Sequence, residues 1–266
     1  MKIKRTGIRS TIADFIFGLY CRIENNNNTD FDKNGERKFI DDLIGYWGKK
    51  QRSELIVFDI GANVGGYTRI LLEITTKGHI PVKIHVFEPT QACFDQLEHL
   101  FSAFPDVVLN RSAVSDANGT AEIYYDHTKS SLASFYKRDL SAYSIRFQLS
   151  EIVATTRLDS YIEKKNIPHI DLLKIDIEGH ELAAFRGMGR YLTGQYVDFI
   201  QFEYGGANLD SRTSLMELYQ ELEKAGFVVA KLMPRGLDIR PYQPRMDNFQ
   251  YANYVAISGE IVDRLG

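Results

Sequence analysis

VFDIGANVGGY, residues 57–67, begins as an apolar run, meets an acid at Asp59 and then breaks into glycines. Residues 55–60 are typical of a buried β-strand, and residues 67–76 have the apolar spacing of a helix. The stretch is therefore predicted to be the turn from a first strand into a first helix. In open α/β sheets such turns lie at the carboxyl ends of the strands, where ligands bind, and glycines there let a ligand approach the backbone.

The rest of the chain repeats this alternation of short buried strands and amphipathic helices. Such alternation predicts an α/β fold with a parallel sheet. Two further strand-like segments, 120–125 and 152–158, surround a polar loop and predict a small β/loop insert. The other predicted strands are 82–87, 170–175 and 196–202, and the other predicted helices are 91–104, 159–166, 178–192 and 211–225.

Composition fits one well-packed core, because 44% of the 266 residues are apolar and 25% are charged. The formal net charge of -3 gives no overall positive field, so nucleic acid is not an expected partner. The two cysteines, Cys21 and Cys93, match neither a disulfide framework nor a metal-binding pair. We therefore expect a cytoplasmic protein.

The first residues of the chain form a separate pattern. Residues 1–23 combine five basic side chains with apolar residues spaced along one helical face. This face could lie on an anionic membrane or a second subunit, but amphipathic helices usually pack on their own domain, which makes membrane contact the less favoured alternative. A polar run at 25–30 predicts a joint. We predict a helical extension and joint over residues 1–50 and one domain over 51–260, with an insert at roughly 120–158.

The cofactor is predicted from two acids. Glu88 ends the second strand, about twenty residues past the glycines, where an acid typically accepts hydrogen bonds from a ribose diol. Asp59 stands directly before the turn, where it would repel the pyrophosphate of a dinucleotide. S-adenosylmethionine has no phosphate but carries an ammonium and a sulfonium, which carboxylates favour. It is therefore the predicted cofactor.

A dehydrogenase is the alternative prediction. The glycine turn misses the short-chain dehydrogenase pattern by one residue, Tyr67, and Tyr161 with Lys165 reproduces the Tyr-x-x-x-Lys spacing of that class. On this alternative the chain is an NAD(P)-dependent dehydrogenase or epimerase. The pattern is loose, and Tyr161 comes earlier in the chain than the active-site helix of that class should, so the methyl-donor cofactor is favoured.

The segment LLKIDIEGHE, residues 172–181, concentrates ionisable groups at the turn after a buried strand. So many charges are costly for packing alone. Asp176 is a candidate to contact the cofactor, to orient an acceptor hydroxyl or to bind a divalent ion such as Mg²⁺ together with Glu203. His180 has a suitable pKa for a general base, and Glu178 is a further candidate.

Five motifs in this chain resemble those of FkbM-type S-adenosylmethionine-dependent methyltransferases, in the same order and at similar spacing, from about residue 53 to 204. They are FDIGANVGGYT, HVFEPTQACFDQL, LNRSAVSD, TTRLDSYI and DLLKIDIEGHELAAFRG. The resemblance implies a Rossmann-like class I methyltransferase with a seven-stranded, mostly parallel sheet and helices on both faces. Its last strand, here 251–257, would run antiparallel beside 227–232.

The resemblance also implies O-methylation of a hydroxyl on a sugar, polyketide or similar small molecule. By position, a group of residues would contact the cofactor, with Glu88 at the ribose, Ser112 near the adenine and Asp176 at the methyl-transfer centre. Catalysis would involve Asp176, Glu178 or His180. Tyr136, Lys137 and Arg138 in the insert could contact a polar acceptor, although a solvated loop is the favoured interpretation. The predicted cofactor residues are Asp59, Gly61, Asn63, Gly65, Glu88, Ser112 and Asp176.

Overall fold

A computed structural model describes residues 7–49 and 53–265 of the chain. Its strands are β1 Leu55–Ile60, β2 Val82–Phe87, β3 Val107–Asn110, β4 Ala113–Val114, β5 Gly119–Tyr125, β6 Leu149–Thr156, β7 Ile170–Ile175, β8 Val197–Tyr204, β9 Phe227–Met233, β10 Gly236–Ile239 and β11 Ala252–Ser258. Its helices are α1 Ile8–Ile23, α2 Glu36–Gly48, α3 Gly66–Lys77, α4 Gln91–Phe101, α5 Leu158–Lys165, α6 Glu181–Gly187, α7 Ala207–Ser211, α8 Leu215–Lys224 and α9 Gly259–Leu265.

The main sheet has the strand order β10-β9-β11-β8-β7-β1-β2-β3. Strands β3, β2, β1, β7 and β8 pair in parallel, and β11 runs antiparallel between β8 and β9. This is the predicted class I methyltransferase sheet with its antiparallel last strand. The count differs by one strand, because β10 adds an antiparallel edge beside β9.

Apolar layers cover both faces of this sheet, as the alternating pattern predicts. Every residue of β7 is buried, since a central parallel strand is covered on both sides. On one face β7 and β1 pack against α5, α6 and α8, and on the other face against α2, α3 and α4. A capping box between Ser214 and Glu217 fixes the start of α8.

The insert contributes a second sheet of three strands in the order β4-β6-β5. Strand β6 begins three residues before the predicted strand, and a bridge between Tyr124 and Ser134 folds the following loop back on β5. Ala113, Ile123 and Val153 form its small core. This sheet and loop stand beside the carboxyl ends of β1 and β2.

The two N-terminal helices differ in their surroundings. Phe39 and Trp47 of α2 are buried and make edge contacts with Phe199 of β8. Helix α1 is exposed along most of its length. Among residues 7–49 and 53–265, no helix is both long and apolar enough to cross a membrane.

Candidate active site

A cleft open to solvent lies at the carboxyl ends of β1, β2 and β7. The turns after these strands supply one wall, and the insert loop supplies the other. Five of the seven predicted cofactor residues line this cleft, together with the predicted catalytic residues Glu178 and His180. The five are Gly61, Asn63, Glu88, Ser112 and Asp176.

Gly61 joins the turns after β1 and β7. Its φ of +82° is in the left-handed region, and a Cβ at this position would stand 1.8 Å from the carbonyl oxygen of Asp176. The Gly61 N–H donates to the Phe87 carbonyl at 3.0 Å, which ties the same turn to β2. Only a residue without a side chain lets the three strand ends meet this closely.

Glu88 is held in one orientation at the end of β2. Its Oε2 accepts from the Asn63 backbone N–H at 2.9 Å, and its Oε1 accepts from the Thr90 N–H at 2.9 Å and the Thr90 hydroxyl at 2.6 Å. Burial raises the pKa of Glu88 above its ordinary value. The geometry places a preorganised acceptor at the position predicted for the ribose diol.

Asp59 and Gly65 lie beneath the turn and do not line the cleft. The buried carboxylate of Asp59 accepts a hydrogen bond from the Thr68 hydroxyl at 2.5 Å, and burial raises its pKa. A Cβ on Gly65, whose φ is +83°, would approach Leu97 and Phe101 of α4 to within 2.8 Å. Both residues support the turn from below.

Lys174 provides a positive charge under the cleft. It is buried, and its Nζ donates to Asp176 at 2.9 Å. Burial alone would lower the pKa of Lys174, but the carboxylates of Asp176, Glu36 and Asp59 outweigh that effect and raise it. The cation therefore stays charged and balances one acid that lines the cleft and two that are buried beneath it.

Three candidate acids come together, two in the turn after β7 and one in the last residues of β8. Asp176, Glu178 and Glu203 each offer one carboxylate oxygen, and these oxygens all lie within 4.8 Å of one another. Burial and then the nearby charge of Asp176 raise the pKa of Glu178 to about 8. Burial, followed by Asp176 and Glu178, also raises the pKa of Glu203 well above its ordinary value. Such a cluster can share protons, or it can hold a cation.

Arg138 connects this cluster to the insert. Its Nη1 donates to Glu178 at 2.7 Å and its Nε donates to Asp210 at 3.0 Å, and only 8% of its side chain is exposed. The interpretation of Arg138 as part of a solvated loop is therefore wrong. Arg138 thus pairs with one acid in α7 and one in the turn after β7. No short-range sequence pattern predicts either pair, because both partners are far from Arg138 in the chain.

His180 is held between two hydroxyl groups. Its Nε2 is 2.9 Å from the Ser115 hydroxyl, and its Nδ1 is 3.0 Å from the Tyr136 hydroxyl. Burial lowers the pKa of His180 to about 4, so the imidazole is neutral near pH 7. The sequence marked Tyr136 only as a candidate acceptor contact and did not mark Ser115, because both pairings with His180 join distant segments.

Tyr161 and Lys165 lie outside the cleft. The Tyr161 side chain is buried, and its hydroxyl is 2.7 Å from Nδ1 of His85, under β2. Both residues border a separate surface recess next to Arg111. The structure does not bring the Tyr-x-x-x-Lys pair to the predicted cofactor residues, which removes the geometric basis of the dehydrogenase alternative.

Comparisons with known proteins give a consistent result. Residues 59–229 match the family model described as the methyltransferase FkbM domain. The chain is 23% identical over 216 residues to the hexuronic acid methyltransferase AglP of Haloferax volcanii, covering 80% of this chain and 83% of that protein. It is 24% identical over 197 residues to the 2-O-methyltransferase NoeI of Sinorhizobium fredii, covering 71% and 78%.

Solved structures are also similar, and one of them is a family member. A methyltransferase FkbM from Methylobacillus flagellatus aligns with 92% of this chain and 60% of its own chain. The TM-score is 0.49, and the sequence identity is 13%.

Proposed function

This chain belongs to the FkbM methyltransferase family, and from that premise we propose that it transfers the methyl group of S-adenosylmethionine to a hydroxyl of a sugar or glycan. One observation supports this most directly. The fixed carboxylate of Glu88 and the open carboxylate of Asp176 border the same cleft, separated by the Gly61 turn. An acid for a ribose and an acid for a cationic amino-acid end are what this donor needs.

The cleft residues fit the cofactor in its several parts. Glu88 would accept hydrogen bonds from the ribose hydroxyls, and Ser112 would lie beside the adenine. Asp176, whose side chain is about one-third exposed, would meet the positive end of the molecule. When bound, the cofactor supplies an electrophilic methyl group, and the remaining task of the protein is to place the acceptor oxygen in line with it.

Methyl transfer to a hydroxyl also requires a proton acceptor. The new bond joins the acceptor oxygen to the methyl carbon, the bond from sulfur to that carbon breaks, and the hydroxyl proton passes to a base. Glu178 is our proposed base, because it borders the cleft and its pKa is raised to about 8, close to the working range. Asp176 would orient the acceptor, and His180 would position the insert.

The choice of a carbohydrate acceptor rests on the relatives. One is named for hexuronic acid and the other for 2-O-methylation. A polyketide-type hydroxyl is the second acceptor class for screening. The expected divalent ion at Asp176 and Glu203 stays a prediction, which methyl transfer assayed in Mg²⁺ and in a chelator will test.

The cofactor is tested by calorimetric titration with S-adenosylhomocysteine and, separately, with NAD. We expect S-adenosylhomocysteine to bind and NAD not to bind. Replacing Glu88 with Ala removes about two charge-assisted hydrogen bonds and should weaken binding about a hundredfold. The exposed acid Glu98 offers the matched control, since Glu98→Ala changes the same charge on α4 away from the cleft. Binding of NAD alone would overturn the proposal.

A further inference from the structure

Helix α1 presents an apolar face to solvent. Residues 12, 15, 16, 19 and 23 share one side of the helix, because their spacing follows its 3.6-residue period. Phe15 is 73% exposed, and the other members are exposed by about half or more. The face consists of Ile12, Phe15, Ile16, Leu19 and Ile23. Five neighbouring exposed apolar side chains are typical of a binding face, since exposed apolar residues on ordinary surface are scattered singly.

The helix is fastened to the domain only near its C-terminal end, among the contacts that the described residues show. Cys21 is buried, and Asn27 donates its backbone N–H to the Tyr251 carbonyl at 2.8 Å. Glu24 pairs with Arg240 at 2.6 Å and with Lys231 at 3.4 Å. These contacts fix the base of α1 and leave the apolar face pointing away from the core.

The charge of this segment is opposite to that of the rest of the chain. Residues 1–23 contain five Lys or Arg and one Asp, a formal charge of +4, so the remaining residues carry -7 of the total of -3. Arg9 and Arg22 fall on either side of the apolar face on the helical projection, and Asp14 falls on the opposite side. Lys2, Lys4 and Arg5 precede the described residues.

We propose that the apolar face of α1 docks on the surface of an anionic lipid membrane, with the helix lying in the plane of the interface. Apolar side chains flanked by cations are the pattern of an interfacial helix, in which the former enter the acyl boundary and the latter meet anionic headgroups. Two copies of a segment with a charge of +4 would repel each other, which disfavours pairing with a second copy. This inference is independent of the methyl acceptor.

Vesicle flotation of the full chain tests this docking. The probes are vesicles of phosphatidylcholine alone and of phosphatidylcholine with about 30% phosphatidylglycerol. We expect binding to the anionic vesicles only, and loss of that binding at about 0.5 M salt. Phe15→Asp should weaken it about tenfold or more, because it puts a charge into the buried face.

Phe17 supplies the matched control, since it is 48% exposed on the opposite side of α1. Phe17→Asp adds the same charge and should reduce binding by no more than about threefold. Circular dichroism of both variants will check that they are folded. No binding to anionic vesicles overturns the proposal, and a concentration-dependent dimer that Phe15→Asp abolishes would assign the face to a second copy. Equal loss in both variants would also overturn it, because the loss would then reflect net charge alone.

Discussion

The two halves of the cleft, to which our proposal assigns the cofactor and the acceptor, are built differently. On the cofactor half, the carboxylate of Glu88 accepts three hydrogen bonds from residues within 25 positions of it in the chain. On the acceptor half, Asp176, Glu178 and Glu203 crowd together, and burial and then the charge of Asp176 raise the pKa values of the two glutamates. The carboxylate of the first half is fully hydrogen-bonded, whereas the second half holds buried acids that are costly to ionise.

This difference indicates a division of labour. A satisfied, rigid half suits a cofactor that is the same in every turnover, because preorganisation lowers the cost of binding. Acids with raised pKa values suit proton transfer, where the charge must change during the reaction.

The largest effect is expected at the turn of the cofactor half. Gly61→Ala would place a methyl group against the Asp176 carbonyl at a positive φ, so we expect a loss of about 3 kcal/mol or more in the free energy of unfolding. Urea denaturation measures it. Gly66→Ala is the matched control, because nothing lies within 4 Å of a Cβ there, and it should be neutral or slightly stabilising. Equal stability of the two variants would mean that the turn is not rigid.

The second effect concerns the pH dependence of the acceptor half. The pKa of Glu178 is raised in the folded protein from its ordinary 4.5 to about 8, so the folded state binds the extra proton between these values. Its stabilising contribution is therefore full below about pH 4.5 and is lost as the pH rises through about 8. The amide side chain of the Glu178→Gln variant cannot ionise. Between pH 4.5 and 8 the free energy of unfolding of this variant should therefore fall less than that of the unmodified protein, and the two falls should differ by about 1 kcal/mol or more.

Urea denaturation at a series of pH values measures this difference. Gln retains an oxygen that can accept from Arg138, which limits the effect to the charge. Glu98→Gln, on the exposed side of α4, should leave the pH dependence unchanged. Parallel curves for Glu178→Gln and the unmodified protein would contradict the raised pKa and leave the acceptor half without its proposed base.

The smallest effect is expected at His180. Because burial lowers its pKa to about 4 and both ring nitrogens face hydroxyls, this residue should not titrate between pH 6 and 8. We expect His180→Asn to reduce methyl transfer about tenfold or less, through a displaced insert, and to leave the pH profile in place. Steady-state rates across that range measure both. A loss beyond about a hundredfold with a changed profile would make His180 the base instead.

The sequence located one side of the cleft well, because the residues there belong to local turns at strand ends. Gly61 and Glu88 were placed from the apolar runs that precede them, and both line the cleft. Asp59 and Gly65 belong to the same motif, but their role beneath the turn depends on Thr68 and on the packing of α4. A motif therefore predicts where a turn lies more reliably than it predicts which of its residues line the cleft.

The acceptor half was less predictable because its contacts join distant segments. Arg138 reaches Glu178 across 40 positions and Asp210 across 72 positions, and no periodicity encodes such pairs. Strand β10 was not predicted from the sequence for a different reason. Its four residues lie among turn-forming residues, and the strand pairs only with β9 at the edge of the sheet. Long-range charge pairing and edge pairing are settled by the tertiary fold.

The buried carboxylate of Glu36 gives α2 a part in the chemistry of a site that it does not touch. It accepts from the Gln201 side chain at 2.7 Å and, with Asp59 and Asp176, keeps Lys174 charged under the cleft. The family match begins only at residue 59, so a fragment trimmed to the matched region would leave that lysine with fewer counter-charges. Helix α2, which precedes the recognisable motifs, thus supplies part of the charge balance beneath the candidate active site. Trimming it would change the charge environment of Asp176 through Lys174, as well as the fold.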